Sequence, residues 1–95
     1  MTSLYKVRRS SSFKKAFKRV RQYPGFNEDR FDKVVIQLSR GEALPEQFRD
    51  HALTGFMSDS RECHLAPDIL LVYSIQDSIL TLTLIDIGKH SQLFR

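Results

Sequence analysis

The last third of the chain changes from a helical hydrophobic period to an alternating one, and this change restricts the possible folds more than any other feature. Three apolar segments, RECHL, ILLVYSI and ILTLTLIDI, follow Ser60. In the last segment leucines alternate with isoleucine and threonine, which is typical of a strand with one buried face. The residues QDS at 76–78 favour a tight turn before it. These segments predict a three-stranded antiparallel meander with Leu80, Leu82 and Leu84 facing the helices.

The first half of the chain predicts a short strand in LYKVR and then two amphipathic helices. The serines at 10–12 offer N-cap hydroxyl groups, and the first helix is expected to end near Tyr23-Pro24-Gly25. Asn27 is a candidate N-cap and Gly41 a candidate C′ residue of the second helix. The apolar residues at helical spacing are Phe13, Ala16, Phe17 and Val20 in the first helix and Phe31, Val34, Val35 and Leu38 in the second.

This order of elements predicts one α+β domain over residues 1–95, with two N-terminal helices packed on one face of a small antiparallel sheet. A long polar connection, EALPEQFRDHALTGFMSDS, separates the helices from the meander. A connection of this length is often functional. The second face of the sheet, together with the loops, is therefore expected to meet a partner.

The formal net charge of +4 is concentrated in residues 1–24, which hold eight basic residues and no acid. The rest of the chain holds eleven acids against seven bases. This asymmetry fits either a polyanionic partner or a solvated helix face. No apolar run reaches the roughly 18 residues of a membrane span, and the N-terminus lacks the apolar stretch of a secretory signal. With a single cysteine, a cytoplasmic protein without a membrane partner is expected.

The three histidines, His51, His64 and His90, all fall in loops or near the ends of elements. Two of them with Asp68 could supply a facial metal triad, but the spacing is not that of a familiar chelate. Cys63 and His64 are adjacent and would point to opposite faces of a strand, so they do not form a nucleophile–base pair. No glycine loop is present to hold a nucleotide phosphate. We therefore expect neither a metal nor another cofactor.

Metal-free cleavage of RNA fits this set of residues better. The 2′-hydroxyl of RNA is its own nucleophile, so the protein has to supply a base, an acid and positive charge. Histidine can carry out either proton transfer near neutral pH. The basic first helix could hold phosphates without reading sequence.

Three motifs, DHALTG, RECHLAPDILLVY and IGKHSQLF, resemble the YafQ branch of the RelE/ParE toxin superfamily. That branch typically shows DHPLxG, RxxHxxPDxLLxY and RxGxHxxLF in the same order. The resemblance implies a RelE-like microbial RNase fold and a ribosome-dependent endoribonuclease that cuts translated mRNA. It also implies a cognate antitoxin, and binding to operator DNA only as a complex with that antitoxin.

The resemblance also implies roles for particular residues. The acid–base set falls on His51, His64, Asp68 and His90, with His90 as the leading candidate for the general acid. Asp68 or His51 would act as the base or orient the 2′-hydroxyl. Phe94 matches a family aromatic that contacts the RNA. From their charge and position, the other residues expected to bind RNA are Arg61, Lys89, Lys14, Lys18 and Arg21.

Two positions depart from the family pattern. Ile69 stands where the family often has tryptophan, which could remove a stacking contact worth about 1–3 kcal/mol. Asp86 stands where the family has arginine, so a carboxylate replaces a cation that would stabilise the charged transition state. Lys89, Arg61 or the first helix could replace that cation, with Asp86 keeping His90 protonated. Alternatively, the protein cleaves weakly or not at all and acts by binding antitoxin, ribosome or operator DNA. Gyrase-poisoning relatives share the scaffold but lack this histidine set.

Overall fold

The computed structural model describes residues 4–55 and 59–93 and has the predicted α+β architecture. The helices are α1 (Ser11–Val20), α2 (Glu28–Ser39) and the single-turn α3 (His90–Leu93). The strands are β1 (Lys6–Arg9), β2 (His51–Ala52), β3 (Arg61–Ala66), β4 (Ile69–Gln76) and β5 (Thr81–Gly88). They form one five-stranded sheet in the order β1-β5-β4-β3-β2. None of the described helices is both long enough and apolar enough to cross a membrane.

The sheet is antiparallel except at one edge, where β1 pairs with β5 in parallel. The prediction of an antiparallel sheet was therefore right for the meander and wrong for this pair. Parallel strands need a long crossover connection. Here both helices and strands β2 to β4 lie between β1 and β5, so the chain has room to return in the same direction.

Both long helices begin at the predicted caps. The Ser10 hydroxyl accepts a hydrogen bond from the Phe13 N–H at 3.0 Å, and it donates to the Ile85 carbonyl at 2.6 Å. One serine therefore starts α1 and ties it to β5. The Asn27 side chain accepts from the Arg30 N–H at 3.0 Å and caps α2 in the same way. However, α1 ends at Val20, a few residues before the predicted stop at the Tyr23-Pro24-Gly25 turn.

At its other end, α2 closes with a Schellman motif, as Gly41 led us to expect. The Gly41 N–H donates to the Leu38 carbonyl at 3.0 Å, and the Glu42 N–H donates to the Gln37 carbonyl at 3.1 Å. Gly41 has a φ of 74°, in the left-handed region that this motif requires.

The core lies between the two helices and one face of the sheet. Leu82 and Leu84 are buried in it, as predicted, but the prediction for Leu80 was wrong because this residue is 49% exposed. Residues Asp77–Ile79 form a 3₁₀ turn instead of a simple tight turn, and Leu80 follows with a φ of 46°. The register of β4 and β5 also shifts between Val72 and Tyr73, where β5 has an extra residue near Ile85. The alternation of core-facing and outward-facing side chains is interrupted there, and the next core residue of β5 after Leu84 is Ile87.

The long connection is more ordered than predicted. It contains a 3₁₀ turn at Glu46–Phe48 and the two-residue β2, which pairs with β3. Just before β2, Asp50 Oδ1 accepts hydrogen bonds from Arg61 Nε at 3.2 Å and from the Tyr73 hydroxyl at 2.5 Å. This carboxylate therefore fixes the connection to β3 and β4.

Candidate functional site

One face of the sheet points away from α1 and α2, and we call it the open face. Residues such as Cys63, Leu71 and Ile87 belong to the core with the helices, so their neighbours along each strand point to the other side. Leu70 and Val72, each 1% exposed, form its apolar centre. The strand register arranges the open face in rows: His64–Leu70–Gly88, then Glu62–Val72–Asp86, then Ser74–Thr83–Arg8.

His51 joins the second of these rows from β2, where it pairs with Glu62. Its Nε2 lies 3.2 Å from Glu62 Oε1, and its Nδ1 lies 2.7 Å from the Arg49 carbonyl oxygen. Nδ1 can donate a proton to the Arg49 carbonyl oxygen, while Nε2 faces the Glu62 carboxylate. The ring is therefore held in a fixed orientation by one backbone and one side-chain partner.

Glu62 was not predicted as a site residue. It is 7% exposed, and within the described part of the chain its Oε2 is a buried oxygen without a hydrogen-bond partner. A buried carboxylate oxygen without a partner is costly unless a proton or a ligand satisfies it. Its spacing of two from His64 in RECHL is the sequence signal that could have revealed it, since both residues face the same side of a strand.

His64, Asp68 and the segment that carries His90 lie at one end of the open face. His64 and Gly88 occupy the same row two strands apart, which corresponds to about 10 Å at the usual strand spacing. His90 follows Gly88 by two residues, and Asp68 lies exposed in the turn that joins β3 to β4. The row of His51 and Glu62 is the next one along the strands. Residues far apart in sequence therefore come to one region.

Two of the predicted RNA-binding cations have partners elsewhere. Arg61 lies in the row of Tyr73, which faces the core, and its Nε bonds Asp50. The Lys89 ammonium lies 4.8 Å from the centre of the Tyr23 ring. Neither side chain takes the place of the family arginine in the row of Asp86. The Asp86 carboxylate itself accepts a hydrogen bond from the adjacent Ile87 N–H at 2.9 Å.

The basic side chains of α1 lie on a different surface from the histidines. The apolar side of α1 packs on the core face of the sheet, which turns Lys18 and Arg21 away from the open face, whereas Lys14 lines a pocket with Arg8 at the β1 edge. Arg21 also pairs with Glu28, with a distance of 3.2 Å between Nε and Oε1. The sixth predicted RNA-binding residue, Phe94, lies outside the described residues.

Two arginines that were not predicted lie near His64. Arg30 of α2 and Arg49 of the long connection line a cavity of about 390 Å³ together with Phe48 and His64, and none of the described residues that line it is an acid. Arg30 Nη1 donates to the Leu65 carbonyl at 3.0 Å, which fixes that guanidinium against β3. Such a cavity suits an anionic group such as phosphate. Only the folding of α2 and the connection against β3 brings these arginines to the histidine.

Cys63 is fully buried in the core. Burial, helped by the nearby Asp50 and Glu62 carboxylates, raises the pKa of its thiol to about 12. The side chain therefore stays protonated at neutral pH and does not act as a nucleophile. Within residues 4–55 and 59–93, no three side chains of histidine, cysteine, aspartate or glutamate come together as metal ligands.

Comparison with known proteins points to one family. Residues 5–95 match the profile of the family described as "Bacterial toxin of type II toxin-antitoxin system, YafQ". A putative toxin YafQ from Haemophilus influenzae is 41% identical over 51 residues, which cover 52% of this chain and 50% of the relative. The mRNA interferase toxin YafQ of Escherichia coli is 35% identical over 51 residues, 54% of this chain and 53% of the relative.

The chain thus spans about half the length of these two curated relatives that it matches. A structural match covers nearly the whole chain. The crystal structure of a metal-bound toxin from Helicobacter pylori superposes with a TM-score of 0.87 and 40% identity, over 95% of this chain and 99% of that one. The arrangement of helices and strands is therefore that of a known toxin.

Proposed function

Because the chain belongs to the YafQ family of bacterial toxins of type II toxin–antitoxin systems, we propose that it cleaves translated mRNA on the ribosome and is inhibited by a cognate antitoxin. The name of the E. coli relative, an mRNA interferase toxin, supports this activity. The observation that carries the proposal is the row of His64 and Gly88, which brings two histidine segments to one end of the open face beside the His51–Glu62 pair. Operator DNA is bound only by the complex with the antitoxin.

The proposed reaction is an in-line attack by the ribose 2′-hydroxyl on the adjacent phosphorus. The bond between O2′ and phosphorus forms while the bond to O5′ breaks, which leaves a 2′,3′-cyclic phosphate and a 5′-hydroxyl. His90 donates the proton that O5′ gains. Asp68 or His51 accepts the proton that O2′ loses, and Glu62 orients the His51 ring. His64, in the row next to that pair, contacts the phosphate.

Positive charge for the phosphate comes from cations that the sequence motifs do not include. Arg30 and Arg49 line the cavity beside His64, and Arg8 lies on the open face at the far side of the sheet. This distribution supports an RNA strand that follows the charged and polar groups of the open face, because Leu70 and Val72 at its centre are buried. Among the described residues, no arginine occupies the row of Asp86, so we propose that cleavage is weaker than an arginine at that position would permit.

His90→Ala tests the proposed general acid. Single-turnover cleavage of a translated message, followed by primer extension, should slow by at least about 100-fold because O5′ would leave without a proton. Ser91→Ala, an exposed change on the same helical turn, is the control and should cleave like the wild type. Equal cleavage by His90→Ala and wild type would remove His90 from this role.

An assay of the wild-type protein decides whether it cleaves message or acts only by binding. If a large excess of the protein leaves ribosome-bound message intact, the protein is a non-catalytic member of the fold that acts by binding. The engagement of Arg61 with Asp50 and of Lys89 with Tyr23 is the observation that favours this second candidate.

Asp86→Arg tests whether the carboxylate weakens cleavage. A cation in this row should stabilise the charge on the phosphoryl oxygens and raise the single-turnover rate by about 10-fold or more. Asp86→Asn is the matched control, because it removes the charge but keeps an oxygen to accept from the Ile87 N–H. A slower reaction in both variants would mean that the carboxylate itself assists cleavage.

A further inference from the structure

We propose that Tyr23 and Gln92 form a clasp that holds His90 in position, which makes Tyr23 a positioning residue for the proposed cleavage site. Tyr23 lies in the turn between α1 and α2, whereas Gln92 lies in α3 near the end of the chain. The catalytic part of this inference rests on the proposed function, while the clasp itself can be measured without it.

Both ends of the Gln92 side-chain amide are engaged. Its Nε2 donates to the Tyr23 hydroxyl oxygen at 2.8 Å, and its Oε1 accepts from the Lys89 N–H at 2.9 Å. The second bond is the half of a capping box in which the third helical residue reaches back to the N-cap backbone. His90 lies between Lys89 and Gln92 in the sequence, so the hydrogen bond between these two residues closes the turn that contains His90.

Lys89 and Gly88 add two further contacts to the clasp. The Lys89 ammonium lies 4.8 Å from the centre of the Tyr23 ring, a distance that suits a cation–π contact. At Gly88, a Cβ atom would lie 2.8 Å from Gln92 Oε1, so the close approach of this amide to β5 needs a glycine. Gln92 is therefore packed over the end of β5 as well as hydrogen-bonded.

Tyr23 is the residue that anchors the clasp to the rest of the molecule. The ring is half-buried and packs against the hydrophobic core. Its backbone N–H donates to the Val20 carbonyl at 3.0 Å, and its carbonyl accepts from the Phe26 N–H at 3.1 Å. These contacts fix Tyr23 relative to the end of α1 and to the turn that leads into α2.

The His90 side needs such support because α3 is a single turn of four residues. A helix of this length is unstable in isolation, since one turn does not offset the entropy of fixing its backbone. Its orientation therefore depends on side-chain contacts with the rest of the molecule. A general acid has to be placed within hydrogen-bond reach of the leaving oxygen, and a displacement of about 1 Å can slow a reaction by about 100-fold.

Backbone NMR of the full chain tests the clasp directly. In Gln92→Met, which keeps the side-chain length but loses both hydrogen bonds, the Lys89 amide should exchange faster with solvent. The heteronuclear NOE of the His90 amide should also fall. Tyr23→Phe keeps the ring and its contact with Lys89, so it should lower the His90 NOE by less. Ser91→Ala is the control on the same turn and should leave both signals unchanged.

Kinetics tests the positioning role. Tyr23→Phe and Gln92→Met should lower the single-turnover cleavage rate by about 3-fold and about 10-fold, with no change in the ribosome concentration for half-saturation. Gln92→Glu should restore the rate, because its carboxylate can accept from both the Lys89 N–H and the Tyr23 hydroxyl. The double variant Tyr23→Phe/Gln92→Met should be no slower than Gln92→Met, since both changes break one unit.

Three outcomes would contradict different parts of this inference. Unchanged exchange at Lys89 and an unchanged His90 NOE in Gln92→Met would show that the clasp does not form in solution. Loosened NMR signals with wild-type cleavage rates would overturn the positioning role and leave a merely structural contact. If the wild type does not cleave, the proposed function fails, but the NOE of His90 still decides whether the clasp holds it.

Discussion

Asp50 shows how one side chain can organise a site without belonging to it. Its Oδ1 binds Arg61 and Tyr73, which fixes the chain immediately before His51. The neutral Tyr73 hydroxyl is the donor in the second bond. Burial, and then the bond to Asp50, raises the pKa of Tyr73 above its ordinary value of 10.0.

Tyr73→Phe should therefore destabilise the fold. Loss of the hydroxyl leaves the Asp50 carboxylate short of one donor, which we expect to lower the free energy of unfolding at pH 7 by about 1–3 kcal/mol. Because the pKa of Tyr73 is higher in the folded state, its contribution is complete below pH 10 and is lost as the pH rises further. Urea unfolding at pH 7 and pH 10.5 should show a larger loss for wild type than for Tyr73→Phe.

Tyr5, which is only half-buried, provides the control for that experiment. Its hydroxyl also donates to a carboxylate, that of Asp77, but at the surface. Tyr5→Phe should therefore shift the urea midpoint at pH 7 by less than Tyr73→Phe does. Identical midpoints for Tyr73→Phe and wild type would contradict a structural role for the Asp50 contacts.

At the scale of single elements, the clearest dependence is that of α2 on Gly41. Its φ of 74° is unfavourable for any residue with a Cβ atom. Gly41→Ala would also bring that atom within 3.2 Å of Leu4 Cδ2. We expect the free energy of unfolding, measured in urea, to fall by about 1–2 kcal/mol.

Gly25→Ala is the matched control for the change at Gly41. It lies in the turn between α1 and α2, and a Cβ atom there would meet nothing within 4 Å. This variant should be neutral or slightly more stable, because alanine lowers the entropy of the unfolded chain. Equal destabilisation by the two variants would mean that the conformation of Gly41 in the Schellman motif does not contribute to the free energy of unfolding.

At the scale of the whole molecule, the sheet separates the proposed catalytic groups from the lysines of α1. His51, His64 and Glu62 lie on the open face, whereas α1 presents exposed lysines on the helical side. We therefore expect α1 to contribute to attachment and not to bond cleavage. Electrostatic attachment to nucleic acid depends on salt in proportion to the number of phosphates that the protein neutralises.

Lys14→Gln/Lys18→Gln should weaken ribosome binding and make it less dependent on salt, without slowing cleavage of bound message. The slope of log K against log salt should become shallower by about 0.7 for each phosphate that the variant no longer neutralises. Lys33→Gln, an exposed charge change on α2, is the control. Binding and salt dependence can be followed by sedimentation with ribosomes. If Lys33→Gln changes the slope as much per charge, net charge alone explains the binding.

The sequence by itself determined the elements and much of their order. Helical spacing and caps predicted α1 and α2, including Ser10, Asn27 and Gly41, because these signals act over a few residues. Alternation predicted the meander for the same reason. The motifs also selected a family and three histidines, but the catalytic roles of those histidines remain predictions.

Only the tertiary structure decided which side chains meet. The pairing of His51 with Glu62, the capture of Arg61 by Asp50 and the parallel pairing of β1 with β5 all join segments that local patterns treat separately. The shift in register near Ile85 shows most clearly what a local pattern cannot predict, since alternation along β5 alone would assign the later residues to the wrong face of the sheet. Local propensity fixes the conformation of each segment, whereas pairing and packing between distant segments fix where its side chains point.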